Sequence, residues 1–413
     1  MNQDQLKFVI VGHVDHGKST LIGRLLYDTG SLPEGKIEEI KKICDSLGKE
    51  LELGYVMDHL EEERDQGITI DTAQIFFKTP KRDYVIIDAP GHVEFVKNMI
   101  TGSSQADAAL LIVDAEEGIK EQTQRHAYIL SMLGIDQVIV LINKMDLVGY
   151  RESAFNDLSA QLRQFLQEIA ITPLAIIPVS AKQGDLITKA SANMAWYSGP
   201  ALLESLDSLA MGGDADNQPL RFIVQDVYCF DKRIVVGKVE SGVLRQGDRI
   251  RVLPTGEQTA VKSIEEFLKT PTIAHAGKSI GFTTADKLFI DRGHVVCHDT
   301  GLPTVTDLLT ANIFWMDRTP LQRGASLTFR CGTQEVPCIV SDIAKVIDSS
   351  TLESLGKNMT EVKNREVAEV TIRTDKPVVV DCFRNAKALG RFVLGKAETQ
   401  AGGIITGTSG ISL

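Results

Sequence analysis

Through about residue 210, short apolar runs alternate with amphipathic stretches. The runs at 8–11, 84–87, 108–113, 137–142 and 174–179 are nearly continuous in Val, Ile, Leu and Ala. Strands covered on both faces read this way, because neither face meets water. Between them, Leu21, Ile22, Leu25 and Leu26 share one helical face. Ile37, Ile40, Cys44 and Leu47 recur at spacings of three, four and three. The pattern predicts an α/β domain with a mostly parallel sheet. Residues 211–218 are small, polar and turn-rich, and read as a linker. Beyond them the segments at 221–227, 234–239, 249–253, 327–331 and 369–373 are short and β-rich. Gly and Pro punctuate them, as in Pro254-Thr255-Gly256. A break near Gly301-Leu302-Pro303 yields two barrels of about 90 and 110 residues, ordinary domain sizes. The expected division is 1–210, a linker at 211–218, 219–303 and 304–413.

Composition narrows this picture only slightly. The 413 residues are 43% hydrophobic and 24% charged, which excludes wholesale disorder. A net charge of -11 argues against non-specific coating of nucleic acid but leaves room for one basic face. No apolar run reaches the ~18 residues that span a bilayer, so no membrane partner is expected. The opening residues lack a basic n-region and a small-residue cleavage site, and are not expected to be a signal peptide. Six cysteines without a C-x-x-C pair suit reduced thiols in a cytoplasmic protein. Cys331 and Cys338 fit a hairpin as easily as a bridge.

The first strand runs into Gly12-His13-Val14-Asp15-His16-Gly17-Lys18-Ser19, followed by Thr20. This is G-x-x-x-x-G-K-[ST] between a strand and a helix, the context that a phosphate loop needs. Glycines let backbone amides converge on phosphate oxygens, and the following helix turns its positive end towards them. Lys18 supplies charge to the β- and γ-phosphates, and Ser19 offers a hydroxyl to Mg2+. Asp88-Ala89-Pro90-Gly91-His92 closes the strand at 84–87. Asp88 there suits the Mg2+ shell. Gly91 suits a backbone bond to the γ-phosphate and a hinge. Asn143-Lys144-Met145-Asp146 follows the strand at 137–142. A carboxylate at Asp146 accepts the N1–H and 2-amino group of guanine, a donor pair that adenine lacks. Ser180-Ala181-Lys182 closes the other side of the base. The nucleotide expected is GTP. Thr69, in Gly67 to Ile70, can reach Mg2+ and γ-phosphate from a switching segment. His13, His16 and His126 show no metal-ligand spacing.

The elements GHVDHGKS, DQGITID, DAPGH and NKMD, with SAK, resemble the GTP-binding domain of the translation-factor superfamily of GTPases over about residues 5–205. The resemblance implies a P-loop GTPase domain followed by two β-barrel domains. It implies that Thr69 is the switch threonine, that His92 positions the attacking water, and that Val14 and Ile68 form a hydrophobic gate. Asp15 matches the loop aspartate beside the phosphates. His92, Lys18 and Thr69 are thereby the expected catalytic residues, with GTP and Mg2+ as cofactors and Ser19, Thr69 and Asp88 as metal ligands.

Two subgroups compete. Gly23 to Gly30 and Lys97 to Gly102 look like the elongation factors that deliver aminoacyl-tRNA in archaea and eukaryotes. The GTPase subunit of heterodimeric sulfate adenylyltransferase shares these elements. The C-terminal half resembles that subunit at Asn312-Ile313-Phe314-Trp315-Met316, Pro320-Leu321 and Pro377-Val378-Val379-Val380-Asp381. Against it, such subunits usually carry Ser-Val-Asp-Asp where this chain has His13 to His16, and Glu-Gln-Tyr where it has Val93 to Phe95. The expectation drawn is a sulfate adenylyltransferase subunit. It would couple GTP hydrolysis to adenylyl sulfate formation from ATP and sulfate, beside an ATP-pyrophosphatase-type catalytic subunit. The alternative is an elongation-factor-type GTPase whose partners are aminoacyl-tRNA and the ribosome.

Overall fold

The computed structural model describes residues 5–32, 35, 37–38, 53, 74–87, 106–132, 134–210, 215–229, 232–266, 270–349, 351, 353–384, 386–387 and 389–409. The chain divides into two compact units, residues 1–211 and 212–413.

The first unit is built on six strands: β1 (Gln5–Gly12), β2 (Gln74–Lys78), β3 (Asp83–Ile87), β4 (Ala108–Asp114), β5 (Val138–Asn143) and β6 (Ala175–Pro178). Their order is β2-β3-β1-β4-β5-β6. Only β2, at an edge, runs antiparallel to its neighbour; the other pairings are parallel. Every residue of β4 and β5 is buried, the reason for their unbroken apolar runs. The apolar pattern does not announce β2. Ile75 and Phe77 are buried while Phe76 faces solvent, the alternation of a half-covered edge strand.

Among the described residues, four α-helices accompany the sheet: α1 (Lys18–Asp28), α2 (Glu121–Met132), α3 (Glu152–Glu168) and α4 (Leu202–Ser208). The expected face of α1 (Leu21, Ile22, Leu25 and Leu26) is buried. Of the second expected helical repeat, Ile40, Cys44 and Leu47 lie outside the described residues. The chain passes from β3 on one side of β1 to β4 on the other. In sheets of this order, ligands bind at the carboxyl ends of the strands where the order reverses, here β1 and β4.

The second unit holds two barrels. Its first eight strands are β7 (Arg221–Cys229), β8 (Arg233–Ser241), β9 (Leu244–Arg245), β10 (Arg249–Leu253), β11 (Glu257–Glu265), β12 (Ile273–Ala274), β13 (Ser279–Thr284) and β14 (Val295–Cys297). Six of them close as β10-β11-β13-β8-β7-β14. Phe222 and Phe282 meet edge to face inside, with ring centroids 5.1 Å apart.

The remaining strands are β15 (Thr304–Trp315), β16 (Leu321–Gln322), β17 (Ser326–Cys331), β18 (Gln334–Asp348), β19 (Ser354–Lys357), β20 (Glu361–Val362), β21 (Glu366–Val380), β22 (Arg391–Gly395) and β23 (Thr399–Thr408). The order β17-β22-β23-β15-β21-β18 closes through a β17–β18 pairing, and β19 is added at β18. Closure leaves no long free edge. Cys331 and Cys338 sit on the β17–β18 hairpin. They form no disulfide, and burial pushes their thiols up to about 12 and 11 respectively. The other described cysteines are free too, while Cys44 lies outside the described residues.

The two barrels share a seam. Ile223, Leu253, Val295 and Cys297 of the first pack in one apolar cluster with Cys331, Val378, Val379 and Val380 of the second. Arg221 and Asp381 cross this seam as a buried two-point pair, Nε–Oδ2 2.8 Å and Nη2–Oδ1 2.9 Å. The remaining guanidinium nitrogen, Nη1, donates to the Leu220 carbonyl at 2.9 Å.

Candidate functional site

The loop between β1 and α1 is shaped by two glycines. Gly12 ends β1 against β4, where a Cβ would lie 2.4 Å from the Ile112 carbonyl oxygen. Gly17 caps α1 at φ +95°, and a Cβ there would lie 2.4 Å from Asn143 Nδ2. Neither position admits a side chain. No side chain caps the start of α1 and its first turn holds no acid, so the helix's own residues supply no anion to its positive end. Lys18 curls back over the loop and donates to the carbonyls of Gly12 at 3.0 Å and His13 at 2.6 Å. Ser19 is exposed and Thr20 half-buried beside it.

The loop is braced from three sides. Asn143, at the end of β5, donates from Nδ2 to the His16 carbonyl at 2.9 Å. Its Oδ1 accepts the Ala181 amide at 2.9 Å. One buried side chain thus joins the phosphate-type loop to the 180–182 loop. The Gly12 amide donates to His126 Nδ1 and the Val14 amide to Gln122 Oε1, both at 3.2 Å and both on α2. The Val14 side chain points outward, 55% exposed. The His16 ring is fully buried. Its Nδ1 lies 3.4 Å from the Ile112 carbonyl and its Nε2 3.7 Å from Glu117. Burial lowers its pKa below the ordinary 6.5, against the pull of the Ile112 carbonyl and Asp114.

Beyond Asn143, Ser180 donates to Asp146 Oδ1 at 2.6 Å, and Lys144 pairs with Asp114 at 2.7 Å. Asp185 accepts from Tyr150 at 3.0 Å and Ser191 at 2.6 Å, which steadies the segment carrying Ser180, Ala181 and the exposed Lys182.

The fold thus brings Gly12 to Thr20 together with Asn143, Lys144, Asp146, Ser180 and Ala181. Ile68, Thr69, Asp88, Pro90, Gly91 and His92 lie outside the described residues. Asp114, Gln122 and His126 are the site neighbours that motif reading missed. A polar residue closing the apolar run at 108–113 was the available signal for Asp114. Gln122 and His126 gave none, because a single polar residue on a helix is ordinary.

A family model described as Elongation factor Tu GTP binding domain matches residues 3–212, half of the chain. The chain belongs to this family of GTPases. Models described as Elongation factor Tu domain 2 and GTP-eEF1A C-terminal domain-like match residues 232–297 and 308–406, within the first and second barrels. Elongation factor 1-alpha of Thermoplasma acidophilum is 41% identical over 399 residues, 94% of each chain. The protein of the same name from Pyrococcus furiosus is 40% identical over 407 residues, 95% of each. Among solved structures, Sup35 in complex with GDP is 23% identical, with a TM-score of 0.46, covering 99% of this chain and 95% of that one.

These relatives overturn the sulfate adenylyltransferase expectation, and the ATP-pyrophosphatase-type partner falls with it. They back the elongation-factor alternative instead. The structure shows why the C-terminal signals misled. Ile313, Phe314 and Trp315 are buried wall residues of the second barrel, and Val378, Val379 and Val380 are buried at the seam. Such residues answer to packing, which a six-stranded barrel demands whatever its partner.

Proposed function

We propose that this chain is an elongation-factor-type GTPase that binds GTP with Mg2+ and carries aminoacyl-tRNA to the ribosome in the cytoplasm. The name elongation factor 1-alpha on relatives about 40% identical over nearly the whole of both chains supports the carrier half. The observation that carries the nucleotide half is Asn143, whose amide joins the two loops a guanine nucleotide must touch at once.

In this proposal Gly12 to Thr20 cradle the phosphates, with Lys18 on the β- and γ-oxygens. Lys18 here bonds its own loop's carbonyls, a position from which it can swing to phosphate. Asn143, Lys144, Asp146, Ser180, Ala181 and Lys182 hold the base, and Ser180 aligns the Asp146 carboxylate. Pro90 and Gly91 shape the turn beside the γ-phosphate. Ser19, Thr69 and Asp88 supply oxygen ligands. The exposed Ser19 hydroxyl at the open end of α1 is the hard donor that Mg2+ takes. Bound Mg2+ neutralises charge developing on the phosphates. His92 orients water behind the gate of Val14 and Ile68. The domain limits proposed are 1–210, 219–303 and 304–413, with 211–218 linking them.

The test is protection of the aminoacyl ester. In the presence of a non-hydrolysable GTP analogue, the purified chain is expected to slow spontaneous deacylation of charged tRNA, and in GDP to protect far less. Equal deacylation with and without protein would overturn the carrier role.

A further inference from the structure

Asp114 belongs to none of the motifs, yet the sheet sets it directly beside Asn143 in parallel register. Its side chain is 2% exposed and has three partners. Oδ2 lies 2.7 Å from Lys144 Nζ. Oδ1 accepts the amides of Glu116 at 2.7 Å and Glu117 at 3.2 Å. Burial alone would raise this carboxyl's pKa, but the Lys144 ammonium and the two amides outweigh it and leave it below the usual carboxylate range. Lys144 itself sits at φ +62°, a backbone conformation that a non-glycine residue keeps when its surroundings hold it. The Ala115 amide adds a bond to the Asn143 carbonyl at 2.8 Å. The end of β4 therefore grips the Asn143 to Asp146 turn by one backbone bond and one charged side chain.

We propose that Asp114 is a positioning residue for guanine-nucleotide binding: through Lys144 it holds the base-reading turn in place and so sets how long nucleotide stays bound. This rests on the reading of Asn143 to Asp146 as the base-reading turn. Asparagine at 114 would keep an acceptor for the Glu116 and Glu117 amides but lose the charge on Lys144. Asp114→Asn therefore isolates the ion pair from the local turn.

The experiment follows release of a fluorescent GDP derivative from the full chain. Removing a charge-assisted bond of this kind predicts release about tenfold faster in Asp114→Asn. Lys144→Met is expected to accelerate release at least as much. The double variant is expected to match Lys144→Met alone, because Asp114 acts through that lysine. Multiplying effects in the double variant, or wild-type release from Asp114→Asn, would overturn the proposal. Should Asp114→Asn not fold, Lys144→Met approaches the pair from its more exposed side, and unchanged release there would overturn it equally. Asp146→Asn, measured alongside, separates the two claims. If it leaves guanine preference intact, the base-reading assignment fails. If it shifts preference while Asp114→Asn behaves as wild type, only the role of Asp114 fails.

Discussion

Both units bury charge, but they place it differently. In the first, four of the buried polar groups, His16, Asp114, Asn143 and Ser180, gather at the carboxyl edge of the sheet. Each holds a loop: the His16 ring anchors its own phosphate-type loop at the Ile112 carbonyl, Asp114 holds Lys144, Asn143 joins two loops, and Ser180 aligns Asp146. In the second, Arg221 of β7 and Asp381, just past the end of β21, join across the seam of two barrels. Gln334 does the same within the second barrel, giving to the Val379 carbonyl at 2.8 Å and taking its amide at 2.7 Å. The difference teaches what buried polarity is for in each place. Loops carry no ladder of their own, so side chains must fix their geometry around a ligand. Barrel strands already have ladders, and their buried charge fixes how two closed walls meet.

Three measurements press on that contrast, beginning with the largest effect. Asp381→Ala leaves Arg221 buried without its carboxylate, which is expected to cost about 3–5 kcal/mol. The readout is the denaturant midpoint of the barrel unit, with GTP affinity unchanged; an unmoved midpoint would remove the lock from the seam. Asp146→Asn is expected to weaken GTP binding by about 3 kcal/mol, two bonds to a charged group at about 1.5 each. Competition between guanine and xanthine nucleotides measures it, and xanthine should gain. The smallest effect is that of His16. Its folded pKa lies below 6.5, so between that lowered value and 6.5 the unfolded chain binds a proton that the fold refuses. Stability contributed by this group is full above 6.5 and falls as pH drops through that window, with a slope of at most about 1.4 kcal/mol per pH unit. Wild type and His16→Gln, unfolded in urea at several pH values, should therefore diverge in slope below 6.5. Parallel curves would show that the buried ring does not titrate with folding.

Much of the fold was legible in advance. The unbroken apolar runs at 108–113 and 137–142 announce strands covered on both faces, and both are wholly buried. The face of α1 was equally plain. The edge strand β2 was not, because five alternating residues resemble any amphipathic loop. The phosphate-type loop and the Asn143 to Asp146 turn were readable because each is a contiguous chemical device after a recognisable strand. The bracing of that loop by Gln122 and His126 was not, since both lie more than a hundred residues along the chain. The subgroup was not legible, because barrel-wall residues such as Trp315 and Val379, which resemble the sulfate adenylyltransferase subunit, answer to packing and not to function.

The amino-acid order alone determined the local chemistry: glycines at 12 and 17, Lys18 after them, and Asp146 two residues beyond Lys144. These need only neighbours along the backbone, so their meaning does not depend on the fold. Tertiary structure decided which distant groups meet. Asn143 finds both His16 and Ala181, Asp114 finds Lys144, and Arg221 finds Asp381. Those meetings depend on strand order and register. A shift of one position would turn each side chain to the opposite face.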